Sequence, residues 1–165
     1  MKKNILIVGL LAAAAFVGVM LLGRSTESAM SSQADIAVKS ALSAPETQHD
    51  FGVVLMKDGK VSHRFKVINP TDKDLTAEYL STSCMCTTAY IVDDKSQSGP
   101  YGMEGMGSSG KAKLLFKPQE TREIEVVFDP NSHGPAGVGP LQRFVTLTDA
   151  TGGKLQLEIK GLVKP

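Results

Sequence analysis

The chain has 165 residues, enough for one domain of ordinary size, and its 42% hydrophobic content is that of a globular protein. Its 18 lysine and arginine residues nearly balance its 17 aspartate and glutamate residues, which argues against a nucleic-acid partner and against a disordered acidic chain. The absence of tryptophan and the 5% aromatic content leave few stacking surfaces for single-stranded nucleic acid or carbohydrate. We therefore expect no nucleic acid among the partners.

Residues 1–24 predict a membrane anchor or a signal segment. After two lysines, an uncharged run of 19 residues begins at Ile5 and ends at Gly23, and its helix of about 28 Å would match the hydrocarbon thickness of a bilayer. The length of the run favours an uncleaved single-pass anchor, and cleavage near Ala34 is the alternative. Because the lysines precede the run, we expect a cytoplasmic N-terminus and an extracytoplasmic domain in the cell membrane, or a periplasmic or secreted domain after cleavage.

Residues 25–46 are rich in serine and alanine and are predicted to form a flexible tether. Short runs rich in β-branched residues follow, and we place the domain at residues 47–165. The first two runs, residues 49–56 and 61–69, flank an Asp-Gly pair that predicts an antiparallel hairpin. The second run alternates apolar and polar residues, as a half-buried strand does.

Further runs predict six more strands, at residues 75–80, 87–92, 111–117, 121–129, 143–149 and 154–163. Many short strands with regular turns and no convincing helix predict an all-β protein, an immunoglobulin-like antiparallel β-sandwich behind one N-terminal hydrophobic helix. Residues 93–110 and 130–140 are predicted to be irregular loops. Loops of such length are usually functional or disordered.

Several motifs in these runs resemble those of the bacterial domain-of-unknown-function family 1573 (DUF1573). They are HDFG in the first strand, FKVINP with DL soon after, TSCMCTTA, PQE before a strand that ends in VVFDP, and LEIKGLV near the end. The resemblance covers residues 49–163 and is most specific in the S-C-x-C-T core. It implies an extracytoplasmic immunoglobulin-like domain of the bacterial envelope, related to adhesive or assembly modules and without an established enzymatic activity.

Two departures from the family pattern add sulfur to this region. Met85 stands between the cysteines, where the family usually has glycine. The segment after the next strand, usually short, is expanded into a glycine-rich loop that contains Met103 and Met106.

Four roles remain open for Cys84 and Cys86, which are the only cysteines of the chain. On an extended strand their Cα atoms would lie about 6.5 Å apart, near the upper limit for a disulfide, so a bridge between them would be strained and easily reduced. The same pair could hold a soft ion such as Cu(I), with Met103, Met106 and His133 from the two loops as further ligands. They could also be small buried residues, or a redox pair, although no Cys-x-x-Cys is present.

The other two histidines have structural interpretations. His49 is predicted to pin the edge of the first strand through hydrogen bonds, and His63 to be a satisfied inward histidine or a surface residue. No catalytic motif for acyl transfer, metal-assisted hydrolysis or nucleotide binding is present, so we expect binding and no enzymatic activity.

We therefore expect a membrane-tethered assembly module that presents loops and an edge strand to another envelope protein. The alternative is a copper-binding protein that uses Cys84, Cys86 and the loop methionines. A redox-active cysteine pair is the third possibility.

Overall fold

The computed structural model describes residues 38–93, 96–106 and 110–165. Within those ranges no helix combines the length and the apolar character that a membrane crossing requires. The predicted anchor or signal segment of residues 1–24 and the first part of the predicted tether lie outside the described residues.

The described residues form nine strands. In chain order these are β1 (Gln48–Leu55), β2 (Val61–Ile68), β3 (Leu75–Thr82), β4 (Thr87–Asp93), β5 (Ser96–Tyr101), β6 (Lys111–Phe116), β7 (Thr121–Phe128), β8 (Gly139–Asp149) and β9 (Lys154–Lys164). Two short 3-10 helices, Met56–Asp58 and Gly134–Gly137, lie in the connections. Sheet A has the order β1-β9-β8-β3-β6, and sheet B has the order β2-β7-β4-β5. The all-β prediction and the β-sandwich are confirmed.

The core lies between the two sheets because alternate residues of each strand face inward. In β2, Phe65 and Val67 are fully buried, while Arg64 and Lys66, before and between them, are exposed. In β9, Leu155, Leu157 and Ile159 repeat the pattern. The period of two residues that predicted these strands is therefore the period of burial.

The hairpin predicted at the Asp-Gly pair is wrong. β1 pairs with β9, in parallel, and β2 pairs with β7, in the opposite sheet. The connection between β1 and β2 therefore crosses from sheet A to sheet B. Gly59 does adopt a φ of 81°, which glycine tolerates without strain, but it follows the 3-10 turn Met56–Asp58. An Asp-Gly pair identifies a turn and leaves the pairing of the flanking strands open.

The predicted tether ends earlier than residue 46. Residues 38–46 run along the sandwich, where Ser43 forms an antiparallel bridge with Ile68 at the end of β2. Leu42 is 1% exposed and belongs to the core. The domain boundary predicted at residue 47 is therefore wrong, and these residues are part of the domain.

A buried carboxylate anchors the same segment. Asp149, at the end of β8, accepts a 2.5 Å hydrogen bond from the Ser40 hydroxyl and further hydrogen bonds from the backbone N–H groups of Thr151 and Gly153. Burial alone would raise the pKa of Asp149, but these hydrogen bonds lower it below its usual value. The serine and alanine content of this segment is typical of a linker, so the sequence predicted a tether. The Ser40–Asp149 contact joins residues far apart in sequence, and composition could not predict it.

Part of the predicted irregular segment 93–110 is a strand. Residues Ser96–Tyr101 form β5, which pairs with β4 at the edge of sheet B. Its sequence, SQSGPY, contains glycine and proline and has no alternating pattern. An edge strand tolerates proline because one side of its backbone needs no hydrogen-bond partner.

Candidate functional site

The two cysteines lie on the turn that connects β3 of sheet A to β4 of sheet B. The backbone N–H of Ser83 donates to the Phe144 carbonyl, and the N–H of Phe144 donates to the Ser83 hydroxyl, both at 2.9 Å. The N–H of Thr87 donates to the Cys84 carbonyl at 3.1 Å and closes the turn. The extended geometry predicted for the cysteine pair is therefore wrong, because the chain turns here to change sheets.

The turn gives its three central side chains different environments. Cys86 is 2% exposed and belongs to the core, whereas Met85 is 51% exposed. Cys84 is half-buried and packs against the core from its edge. Both cysteines are free thiols. Cys86 thus fits the interpretation of a small buried residue, and Cys84 keeps access to solvent.

The loop that follows β7 brings a histidine to the cysteines. The backbone N–H of Asp129 donates to the Cys86 carbonyl at 2.9 Å, which fastens the start of this loop to the cysteine turn. The Nε2 atom of His133, further along the loop, lies 3.2 Å from the Cys84 Sγ atom. The ligand atoms of Cys84, Cys86 and His133 all lie within 4.8 Å of one another.

An arginine from β8 completes the surroundings of the thiols. The Arg143 Nε–H donates to the Cys86 Sγ atom at 3.3 Å, and the backbone N–H of Cys86 donates to the Cys84 Sγ atom at 3.4 Å. Burial would raise the pKa of Cys84, but hydrogen bonds to its sulfur from Cys86, His133 and Arg143 lower that pKa to about 7. Burial and the neighbouring Cys84 raise the pKa of Cys86, and Arg143 opposes the rise. Near neutral pH the pair therefore consists of one partly ionised thiol and one neutral thiol.

The structure brings together three of the five predicted ligands. Met103 lines a surface hollow together with Ser83 and Phe144, on the sheet A side of the cysteine turn. Met106 is 53% exposed to solvent. Of the predicted site residues, Cys84, Cys86 and His133 lie together. The disulfide, the metal site and the redox pair stay predictions.

Sequence reasoning missed Arg143, although a signal for it exists. Arg143, Val145 and Leu147 follow one another at a spacing of two residues, and the latter two are fully buried. A strand with this spacing points all three side chains to the same face. A charged residue in an inward row needs a partner of opposite charge or a strong hydrogen-bond acceptor, and here it finds the Cys86 sulfur.

Solved structures similar to the chain include a protein of unknown function from Porphyromonas gingivalis W83, with a TM-score of 0.51, 13% identity, and coverage of 76% of this chain and 48% of that chain. The secreted serine protease VesC from Vibrio cholerae has a TM-score of 0.46 and 14% identity, over 74% of this chain and 23% of that chain. The Pseudomonas aeruginosa CupB2 chaperone has a TM-score of 0.38 and 13% identity, over 73% and 55%.

The chain thus spans about half the length of the first of these proteins, and at 13% identity the likeness concerns the fold alone. No curated protein matches the chain significantly.

The family prediction is confirmed for the part of the chain that contains the cysteine turn. Residues 42–102 match the model of the family described as "Protein of unknown function (DUF1573)". The matched range starts before residue 49, where the resemblance was placed, and it ends well before residue 163. The chain is similar to the DUF1573 family of proteins of unknown function over residues 42–102, which is less than half of its length.

Proposed function

We propose that the domain binds one soft metal ion, Cu(I), through Cys84, Cys86 and His133. The observation that carries the proposal is the convergence of two sulfur atoms and one imidazole nitrogen within 4.8 Å. Thiolates select Cu(I) and zinc over harder ions, and imidazole suits both. His133 is exposed and Cys84 is half-buried, so an ion can enter from solvent.

The charge of Arg143 favours Cu(I) over Zn²⁺. Two thiolates and a Cu(I) ion together carry one net negative charge, which the guanidinium beside Cys86 balances. Two thiolates and a Zn²⁺ ion together carry no net charge. The positive charge of the partly buried Arg143 would then have no negative charge to balance it. A structural zinc site would also require a fourth protein ligand.

The pKa values of the two thiols predict how binding depends on pH. A thiol must lose its proton to bind a metal. Cys84 does so near pH 7, because its pKa is lowered to about 7, whereas Cys86 requires a higher pH or displacement of its proton by the ion. Affinity for Cu(I) should therefore rise with pH through the neutral range.

A competition titration tests the proposal. The reduced full chain, kept free of oxygen, is titrated with Cu(I) in the presence of a coloured Cu(I) chelator. We expect one bound equivalent, and we expect Cys84→Ser and His133→Gln each to weaken binding at least about 10-fold, since each removes a ligand.

His49→Gln provides the matched control, because it removes a histidine outside this site. It should leave the Cu(I) affinity unchanged. Uptake of no Cu(I) by the reduced chain, or equal affinity in Cys84→Ser, would show that the three side chains are only packed together. Weaker Cu(I) binding by a Met103→Leu variant would show that Met103 is also a ligand of the ion.

The predicted assembly role, with its membrane attachment and its envelope partner, stays a separate prediction. Strand addition needs an exposed sheet edge, and in the described part of the chain β1 and β6 are the edges of sheet A, while β2 and β5 are those of sheet B.

A further inference from the structure

The cysteine turn holds its two sulfur atoms close together and exposes them unequally. The Sγ atoms of Cys84 and Cys86 lie within 4.8 Å of each other. Cys84 is half-buried and can be reached from solvent, whereas Cys86 is 2% exposed. A reagent in solution therefore meets Cys84 first, and the Cys86 sulfur lies beside whatever product Cys84 forms.

The backbone of the turn is curved in the way that a bridge between the two cysteines needs. The N–H of Thr87 donates to the Cys84 carbonyl at 3.1 Å, so residues 84–87 form a β-turn. Residues two apart lie closer together in a turn than the about 6.5 Å of a strand. Disulfides are most frequent at Cα separations of about 5.5–6 Å. The strain expected for a bridge on an extended strand is therefore relieved here.

Two side chains beside the sulfurs favour attack by Cys84 on an oxidant. Arg143 donates to the Cys86 Sγ atom at 3.3 Å, and the His133 Nε2 atom lies 3.2 Å from the Cys84 Sγ atom. Positive charge and hydrogen-bond donors beside a thiol favour the thiolate, which is the form that reacts with peroxides. His133 is exposed, so its imidazole can donate a proton to the hydroxide that leaves a peroxide.

We propose that hydroperoxides oxidise Cys84 and Cys86 to an intramolecular disulfide, and that this disulfide switches the metal site off. The switch rests on the proposed function, because only there do the two sulfurs hold an ion. The oxidation itself does not, since it needs only the two cysteines and a peroxide.

The reaction has two steps. The Cys84 thiolate takes one oxygen atom from hydrogen peroxide and becomes a sulfenic acid, and the other oxygen leaves as hydroxide and gains a proton. The Cys86 sulfur then attacks the Cys84 sulfur, the S–S bond forms, the S–O bond breaks, and the departing hydroxide leaves as water with the Cys86 proton. Two thiols are oxidised by two electrons, and one peroxide is reduced to two waters.

The bridge should block metal binding reversibly. A disulfide has no thiolate, and the thiolate is the metal ligand. Because the bridge closes almost no chain, it constrains the unfolded state little and stabilises the fold little. Its Cys84 sulfur faces solvent, where a reducing thiol can attack it and restore both ligands.

Peroxide treatment tests the chemistry without any metal. The reduced, metal-free full chain is treated with one equivalent of hydrogen peroxide, and the peptide that contains both cysteines is weighed by mass spectrometry without reduction. We expect a loss of about 2 Da, for two hydrogens, that a thiol reductant reverses. Addition of oxygen to Cys84 without the loss of hydrogen, or a bridge formed only between two chains, would overturn the proposal.

Two serine variants establish the order of the steps. In Cys86→Ser, dimedone should trap a sulfenic acid on Cys84. In Cys84→Ser, the remaining Cys86 should consume peroxide at least about 10-fold more slowly than the unchanged chain, because it is 2% exposed. Asp58→Asn, at an exposed residue outside the turn, is the control and should form the bridge at the original rate. Equal peroxide consumption by Cys84→Ser and the unchanged chain would contradict the order, and the mass of the unchanged chain depends on no variant.

A Cu(I) titration of the oxidised chain tests the switch. We expect affinity for Cu(I) to fall at least about 100-fold on oxidation and to recover after reduction, because the thiolates are lost and regained. Equal affinity before and after oxidation would overturn the switch. A reduced chain that binds one Cu(I) ion but forms no bridge with peroxide would refute the bridge and leave the proposed function standing. A chain that forms the bridge but binds Cu(I) in neither state would refute the proposed function and the switch together.

Discussion

Cys84 and Cys86 stand two residues apart, yet their surroundings change their pKa values in opposite directions. Cys86 lies in the core, where burial favours the neutral thiol. Cys84 is partly buried too, but its sulfur receives hydrogen bonds from Cys86, His133 and Arg143, and these favour the thiolate. The difference arises from contacts with loops and strands far away in sequence, so the motif S-C-M-C-T alone could not predict which thiol is the reactive one.

The first prediction follows from the thiolate character of Cys84. The rate of its alkylation by iodoacetamide should rise with a midpoint near pH 7, because the thiolate is the nucleophile. Cys86 should react more slowly at each pH, because it is 2% exposed and its pKa is raised. Mass spectrometry of the labelled peptides measures both rates.

Arg143→Gln supplies the matching variant, because it keeps a hydrogen-bond donor and removes the charge. The midpoint for Cys84 should move above 7. Since the folded-state pKa lies below the ordinary 9.0, the ionised Cys84 stabilises the fold above pH 9, and this contribution is lost as the pH falls through about 7. An unchanged midpoint in Arg143→Gln would show that the arginine does not act on Cys84.

At the scale of elements, local patterns predicted the strands well and their partners poorly. All eight predicted strands are present, because alternating burial is a property of each strand by itself. The ninth, β5, was missed because an edge strand with glycine and proline has no alternating pattern. The hairpin between β1 and β2 was wrong because the sheet to which a strand belongs depends on contacts that a short turn does not specify.

A second prediction concerns residues 38–46. Leu42→Ala should lower the free energy of unfolding by about 2–5 kcal/mol, because it removes a core side chain that is 1% exposed. Val38→Ala, at a side chain that is 58% exposed, should change it by less than about 0.5 kcal/mol. Urea denaturation measures both. Equal free energies of unfolding for the two variants would show that Leu42 does not contribute to the core and that this segment is the tether that the sequence predicted.

At the scale of the whole molecule, one asparagine connects the two sheets. Asn69, which follows β2 of sheet B, is fully buried, and its Nδ2 group donates to the carbonyls of Lys73, Phe116 and Lys117. Phe116 ends β6 of sheet A. The Asn69 Oδ1 atom accepts hydrogen bonds from the N–H and the hydroxyl of Thr71. The side chain thus has a partner for each of its polar atoms.

The third prediction is that Asn69→Asp is strongly destabilising. In the variant, a buried carboxylate oxygen would replace the Nδ2 group and would face three carbonyl oxygens with no hydrogen-bond donor. The free energy of unfolding should therefore fall by about 3 kcal/mol or more. Asn131→Asp is the control, because Asn131 is exposed and donates to a single carbonyl, that of Met56. Its effect should stay below about 1 kcal/mol. Similar urea midpoints for the two variants would contradict this account.

The candidate sites show the same limit of local information. Cys84 and Cys86 were identifiable from their spacing, and His133 from its irregular loop, but only the tertiary fold brings their ligand atoms within 4.8 Å of one another. His49 stands in the HDFG motif, but no sequence pattern linked it to His63, because the stacking of their rings joins β1 of sheet A to β2 of sheet B. Sequence patterns identified the candidate donors, and the tertiary fold determined which of them meet.

The parallel pairing of β1 with β9 has a consequence for how the protein is made. β1 is the first strand of the domain to leave the ribosome, and its partner is the last, roughly a hundred residues later. At typical rates of translation the first strand waits about 5 to 20 seconds for that partner. Throughout that interval its backbone lacks its final neighbour, so sheet A closes only after β9 has been synthesised, and a chain that stalls before β9 would expose an unpaired β edge.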